Sequence, residues 1–422
     1  MNNLAPDFTL LKADRLIDGN GGPPLERGAI LLKGDRITAV GTEESVVPPE
    51  GATVEEITYE GKTLLPGLVD CHVHLNGIGD GRAGDDLATL PDEILTVQSA
   101  SNARAHLYSG VTTVRDCGAK NRTTFLLRQA VEMGITIAPR LILTGRPMAI
   151  VGGHLSYFGI EATGPTECRA AVRQLIKEGA DFIKVTASGG STRTSVPFRP
   201  SFNVDELTAI ADEAHKFDKH VAAHCVNSQA MRNCLDAGFD TLIHARHMDP
   251  DGTWNNQPDI TQRIIDQGVY VNMTLNEGRA NYRVINEKHE RGEQLTERAQ
   301  QVFDRGTEGY DRLLESFNDM HEAGVRMAAG SDTSWSWHKI AQFQDEVEAH
   351  VAGGMSPMEA IVAGTSNSAK SCWIDDEVGS LEAGKAADVL VVDGDPSVNI
   401  NDLWNVADVY QAGARVDRRN KV

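Results

Sequence analysis

The sequence has little positive charge: 40 Lys and Arg stand against 60 Asp and Glu, a formal net charge of -20. Such a surface repels phosphate backbones and anionic lipid headgroups, which excludes nucleic-acid binding and electrostatic attachment to membranes. No apolar run approaches the roughly 18 residues a membrane helix needs. The opening MNNLAPDFTLLKADRL lacks the basic region and apolar core of a secretory signal, so a cytoplasmic protein is expected. Cysteine is sparse as well. Six residues (Cys71, Cys117, Cys168, Cys225, Cys234 and Cys372) include no C-x-x-C pair and no close-set framework, which predicts reduced thiols in a packed interior. Repeats and low-complexity segments are also missing, and 41% hydrophobic with 24% charged residues is ordinary globular usage.

What is present falls into three stretches. Residues 1–65 read as short alternating runs closed by Gly or Asp (DFTLLKADRLIDG, ERGAILLKGDRITAVG, ATVEEITYEGKTLLPG), a small β unit. From 66 to 375, short apolar runs alternate with helical stretches such as NVDELTAIADEAHKFDK. The apolar runs lie at 64–70, 111–116, 140–145, 182–187, 220–224, 241–245, 270–275 and 326–332. Eight strands with intervening helices predict an α/β fold, a closed (β/α)8 TIM barrel whose site lies at the C-terminal strand ends. Residues 376–422 return to strands and turns, expected beside the first stretch so that a small β-sandwich is built from both chain ends. The charged stretch INEKHERGEQLTERAQ (285–300) reads as one solvated helix.

Ionisable residues cluster at the ends of those strands. The first run ends in Asp70-Cys71-His72-Val73-His74, where imidazoles at i and i+2 point to one side of an extended chain. The fourth carries Lys184, the fifth and sixth end at His224 and His244, and the eighth ends at Asp332. Each alone has an ordinary structural explanation: a snorkelling lysine, core histidines, a helix-capping aspartate. Their coincidence at one end of five strands, in a chain with only 13 histidines, points instead to metal. A protonated Lys184 cannot ligate a cation and is costly among apolar neighbours. Addition of carbon dioxide to its neutral amine makes an anionic carbamate able to bridge two cations. The set then becomes His72, His74 and Asp332 on one divalent ion and His224 with His244 on a second. Nitrogen and oxygen ligands without thiolate suit zinc, with manganese, cobalt and nickel as alternatives.

The segments PGLVDCHVH (66–74), GVTTVRDCG (110–118), DFIKVTASGG (181–190), AAHC (222–225), IHA (243–245), GSDT (330–333) and GSLEAGKAADVLVVDGDP (379–396) resemble the amidohydrolase superfamily, in its binuclear branch with a carboxylated lysine. The chain is most similar to the dipeptidase-like and imidazolonepropionase-like members, a group that includes ochratoxin amidases and hydrolases of phenylureas and carbamates. The resemblance implies the same ligand roles for His72, His74, Lys184, His224, His244 and Asp332. It implies a metal-dependent hydrolase of an exocyclic amide, carbamate or urea C–N bond, in which a hydroxide held between the ions attacks the carbonyl carbon and Asp332 moves the proton. A small-molecule substrate and a homo-oligomer are expected. Ring opening of a cyclic amide, dipeptide cleavage and a non-catalytic scaffold are the competing readings.

His154, in VGGHLSYFG, is the candidate donor to the carbonyl oxygen, with packing in a loop as the other explanation. Substrate contacts are sought among Arg193, Arg199, Asn227, His247, Asn276, Arg279, Tyr282, Arg283, Trp335 and Trp337. One arginine would pair with a substrate carboxylate, and the tryptophans would wall an apolar pocket or pack beneath their loop. One position departs from the dipeptidase pattern: Val226 stands where a tyrosine is expected two residues beyond the strand histidine. That favours aryl or alkyl amides, carbamates and ureas over zwitterionic dipeptides.

Overall fold

The computed structural model describes residues 6–307 and 309–419. Its strands are β1 (Phe8–Leu16), β2 (Leu25–Lys33), β3 (Arg36–Thr42), β4 (Val54–Pro66), β5 (Leu68–Val73), β6 (Val111–Asp116), β7 (Arg140–Leu143), β8 (Met148–Ala149) and β9 (Ile160–Glu161). They continue with β10 (Ile183–Thr186), β11 (Val221–His224), β12 (Thr241–Ile243), β13 (Tyr270–Asn272), β14 (Arg326–Met327), β15 (Val389–Asp393), β16 (Val406–Gln411) and β17 (Ala414–Arg415).

Strands from the first 66 residues and from residues 389–415 make one seven-stranded sheet, ordered β17-β16-β15-β4-β1-β2-β3. Its central seam is antiparallel, Leu65 of β4 opposite Leu390 of β15. Leu11, Leu16, Ile30, Leu32, Leu64, Val389 and Val391 share one buried cluster.

The remaining strands are parallel and alternate with helices, in the orders β5-β6-β7 and β14-β13-β12-β11-β10-β8-β9. Backbone hydrogen bonds join the two sets at both seams: Asp181 N donates to Leu143 O at 2.7 Å, Cys71 N to Ala329 O at 3.2 Å and Asp332 N to His72 O at 2.7 Å. β5, β6, β10 and β11 are buried along their whole length, as parallel strands covered on both faces must be. The helices follow their local signals. Gly164–Glu178 starts with proline in its first turn and ends at Gly179 with φ 110°; Val204–His215 starts in a capping box formed by Asn203 and Glu206.

Three expectations need correction. The runs at 241–245 and 326–332 are strands only over Thr241–Ile243 and Arg326–Met327, because His244, Ala245 and Asp332 take positive φ and leave the ladder. The loop after β7 carries β8 and β9, with Met148 of β8 paired to Val185 of β10. The stretch 285–300 is two helices, Asn276–Glu290 and Glu297–Arg305, broken at Gly292 with φ 73° and restarted by the Thr296 N-cap. All six cysteines are buried free thiols. Among the described residues no helix is long and apolar enough to cross a membrane.

Candidate metal centre

The C-terminal end of β5 delivers His72 and His74, both buried. Gly330 lets β14's continuation approach them, since a Cβ there would lie 2.7 Å from the His72 Cβ and 2.8 Å from its backbone nitrogen. That approach sets the Asp332 carboxylate against both rings. His72 Nε2 and His74 Nε2 lie 3.3 and 3.4 Å from Asp332 Oδ1 and 3.3 Å from each other. On the far side His244 Nε2 is 3.9 Å from Asp332 Oδ2. His224 follows, its ring 4.7 Å from that of His244 and 4.4 Å from that of His154. Lys184 is buried and makes no ion pair among the described residues.

Each histidine has one ring nitrogen fixed by a partner, which settles its tautomer. His74 Nδ1 donates to Gly118 O at 2.9 Å, and His224 Nε2 donates to Gly189 O at 3.1 Å. His72 Nδ1 donates to Asn272 Oδ1 at 3.1 Å, and the Asn272 amide is locked because its Nδ2 donates to Ala328 O and Gly330 O. His244 Nδ1 meets Thr274 Oγ1 at 2.8 Å; that hydroxyl already donates to Met273 O, so it accepts from the imidazole. Three rings therefore present Nε2, and His224 presents Nδ1, as lone-pair atoms.

Burial first, then the Lys184 charge, pushes His74 down to about 3 and His72 well below the usual histidine range. Burial likewise depresses His224 and His244. All four are neutral at pH 7 and able to ligate. Burial pushes the Asp332 carboxyl well above its usual range, and the Glu277 charge pushes it further. Asp332 Oδ1 has no hydrogen-bond partner despite its burial, and the facing His72 and His74 lone pairs repel unless a cation lies between them. One ligand atom each from His72, His74 and Asp332 lie within 4.8 Å of one another, a group able to hold a metal ion. His244, Thr274 and Asp332 take φ of 66°, 50° and 55°, backbone strain gathered at one place.

Residues 63–416 match the model of the amidohydrolase family. The chain belongs to that family. It is 27% identical to ochratoxinase from Aspergillus niger, over 93% of this chain and 82% of the relative. It is 24% identical to imidazolonepropionase from Symbiobacterium thermophilum, over 92% and 91%. The solved structure of a Xaa-Pro dipeptidase with bound methionine superposes with a TM-score of 0.82 at 28% identity, covering 97% of this chain and 100% of the other. Amidohydrolases are metal-dependent, in keeping with the histidine and aspartate group here.

The other sequence candidates divide. His154 stands beside His224, its Nδ1 3.1 Å from Thr192 Oγ1, and Gly190 is what lets it in: a Cβ there would lie 2.7 Å from its ring. Trp335 lies against His74, ring centroids 4.7 Å apart. Trp337 is brought elsewhere, buried with Ile285 and Ala299 beneath the loop. Arg193, Arg279 and Arg283 pair with Asp86, Glu348 and Asp345. Arg199 is exposed, and Asn276 accepts from Arg279 Nε. Asn227 caps the helix Ser228–Asp236, His247 accepts from Gln257 N, and Tyr282 stacks near Phe303.

Several residues of the centre were not singled out in the sequence. Asn272, Thr274, Gly118, Gly189 and Thr192 orient the imidazoles, and Asp70 binds Ser331 Oγ, Ser331 N and His72 N. Asp116 receives Leu75 N and Gly118 N. None sits in a pattern that marks it as a partner; the signal was the position of Asp70, Asp116, Gly118 and Gly189 within PGLVDCHVH, GVTTVRDCG and DFIKVTASGG.

Proposed function

We propose that this amidohydrolase cleaves an exocyclic C–N bond of an amide, carbamate or urea, with two divalent metal ions, zinc by ligand chemistry, held at the strand ends. His72, His74 and Asp332 would hold one, and His224 with His244 the other. The observation that carries the reading is the set of four fixed, neutral imidazoles around a buried carboxylate with an unpartnered oxygen. Lys184, buried without an ion pair among the described residues, fits the bridging position once its Nζ is carboxylated. The cyclic strand order supports a closed (β/α)8 barrel over residues 66–375. The β-sandwich expected of residues 1–65 and 376–422 is read in the sheet that both chain ends share, with 1–5 and 420–422 outside the described residues.

When bound, the ions would acidify a water and polarise the substrate carbonyl. Asp332, beside the imidazoles of the centre, would take up a proton on its carboxylate and deliver it to the departing nitrogen. Thr192 Oγ1 meets His154 Nδ1 and holds the ring in place, and in the tautomer protonated at Nε2 that ring is a donor. That donor steadies charge on the carbonyl oxygen. Trp335, flanked by Phe158, offers an apolar wall for an aryl or alkyl group.

The test is turnover of a panel of N-acyl amino acids, dipeptides, anilides, phenylureas, carbamates and cyclic amides by wild type and Asp332→Asn. Cleavage of an exocyclic C–N bond, reduced by roughly two to four orders of magnitude in the variant, is expected. Activity on cyclic amides alone would transfer the reading to ring opening, and no turnover of any class by metal-loaded protein would sink it.

A further inference from the structure

Arg246 is the one arginine that follows a candidate ligand within two residues, since β12 ends at Ile243 and His244 comes next. Its backbone is tied to the neighbouring strand end, Arg246 N donating to Cys225 O at 3.3 Å. Its side chain is 30% exposed, and its Nε is buried with no hydrogen-bond partner. The nearest carboxylate, Glu277, stands 3.8 Å from Nη2, too far for a hydrogen bond. Among the described residues the guanidinium makes no hydrogen bond at all, whereas Arg193, Arg279 and Arg283 are each engaged by a carboxylate at 3.3 Å or less. Two residues past His244 it stands at the C-terminal end of β12, and its charge acts on His224, His244 and Asp332.

A half-buried guanidinium with an unpartnered N–H carries a desolvation cost that an acceptor would remove. Its fork of donors matches a carboxylate in two-point geometry. The helices after the two flanking strands, β11 and β13, start with buried amide donors, Asn227 Nδ2 and Asn276 Nδ2, that have no partner among the described residues.

We propose that Arg246 is a specificity-determining residue that anchors a carboxylate of the substrate. The proposal rests on the hydrolase reading, and binding alone decides it. 3-Phenylpropanoate and 3-phenylpropan-1-ol contain no C–N bond and differ in the anionic group. Calorimetric titration of metal-loaded wild type should show the acid binding at least about tenfold tighter than the alcohol, the scale of a charge-assisted contact. Arg246→Met should abolish that preference without moving the alcohol, and Arg246→Lys, which keeps the charge without the fork, should retain part of it. KM of N-acetyl-L-phenylalanine should rise in Arg246→Met while its carboxamide is unaffected. Equal binding of acid and alcohol by wild type overturns the proposal, as does an unchanged preference in Arg246→Met or equal weakening of both ligands. If Arg246→Met does not fold, full wild-type preference in Arg246→Lys overturns the two-point contact. Absence of C–N turnover in wild type would sink the hydrolase reading and leave the binding comparison to decide Arg246.

Discussion

His72 Nε2 and His74 Nε2 face one another at 3.3 Å, both as lone-pair atoms, because each ring spends its Nδ1 proton on a fixed acceptor. Two such atoms at that separation call for a cation. Protein expressed with ample zinc and bicarbonate should hold about two ions per chain by elemental analysis. His72→Ala or His74→Ala should empty one position, and His224→Ala or His244→Ala the other. A wild type holding one ion or none contradicts the two-ion reading.

Lys184→Ala should abolish activity and lower metal content, since the lysine is buried on β10, paired to the strand that ends at His224, with no ion pair among the described residues. Short-chain carboxylates added to the variant should restore part of the activity by occupying the vacated space. Full activity with full metal content in Lys184→Ala would assign the lysine a structural role.

The two tryptophans should behave differently. Trp335 lies on His74, so Trp335→Ala should raise KM for aryl substrates with little change in melting temperature. Trp337 packs in a closed cluster under the Arg298 guanidinium, so Trp337→Ala should cost about 3–5 kcal/mol of stability, the usual range for a buried Trp truncation. Denaturant unfolding and a comparison of aryl with alkyl substrates separate the two, and matching profiles would refute the distinction.

Acid should destabilise the metal-free fold through buried histidines outside the centre as well as those within it. Burial pushes His247 and His338 down to about 4 and His106 to about 3, from an ordinary value of 6.5. The unfolded chain therefore binds protons that the native state refuses. The native state keeps its full advantage above pH 6.5 and loses it as pH falls toward 4. Urea unfolding of metal-free protein at pH 7.5 and 5.5 should give a lower midpoint at 5.5, and equal midpoints would remove these residues as the cause.

Much of the centre was legible because its signals are local. His72 and His74 share one strand, Lys184 interrupts an apolar run, and His224, His244 and Asp332 each stand at or near the end of one. Their partners were not, because Gly118 and Gly189 act through backbone carbonyls and Asn272 through an amide held by two others. The arginines illustrate the same limit. Arg193 is hydrogen-bonded to Asp86 and Arg246 stands 3.8 Å from Glu277 without a hydrogen bond, and no spacing in the sequence encodes that difference. Trp335 and Trp337, two residues apart, were assigned together and part company only in three dimensions.

The pairing of Leu65 with Leu390 joins positions far apart in the chain. At about 5–20 residues per second on the ribosome, β15 emerges roughly 16–65 seconds after β4. Throughout that interval β4 has one ladder edge, the side that will meet β15, without its final neighbour. Such an edge templates pairing with other chains. Translation speed and chaperone occupancy over that window should thus govern yield more strongly than the stability of the finished fold.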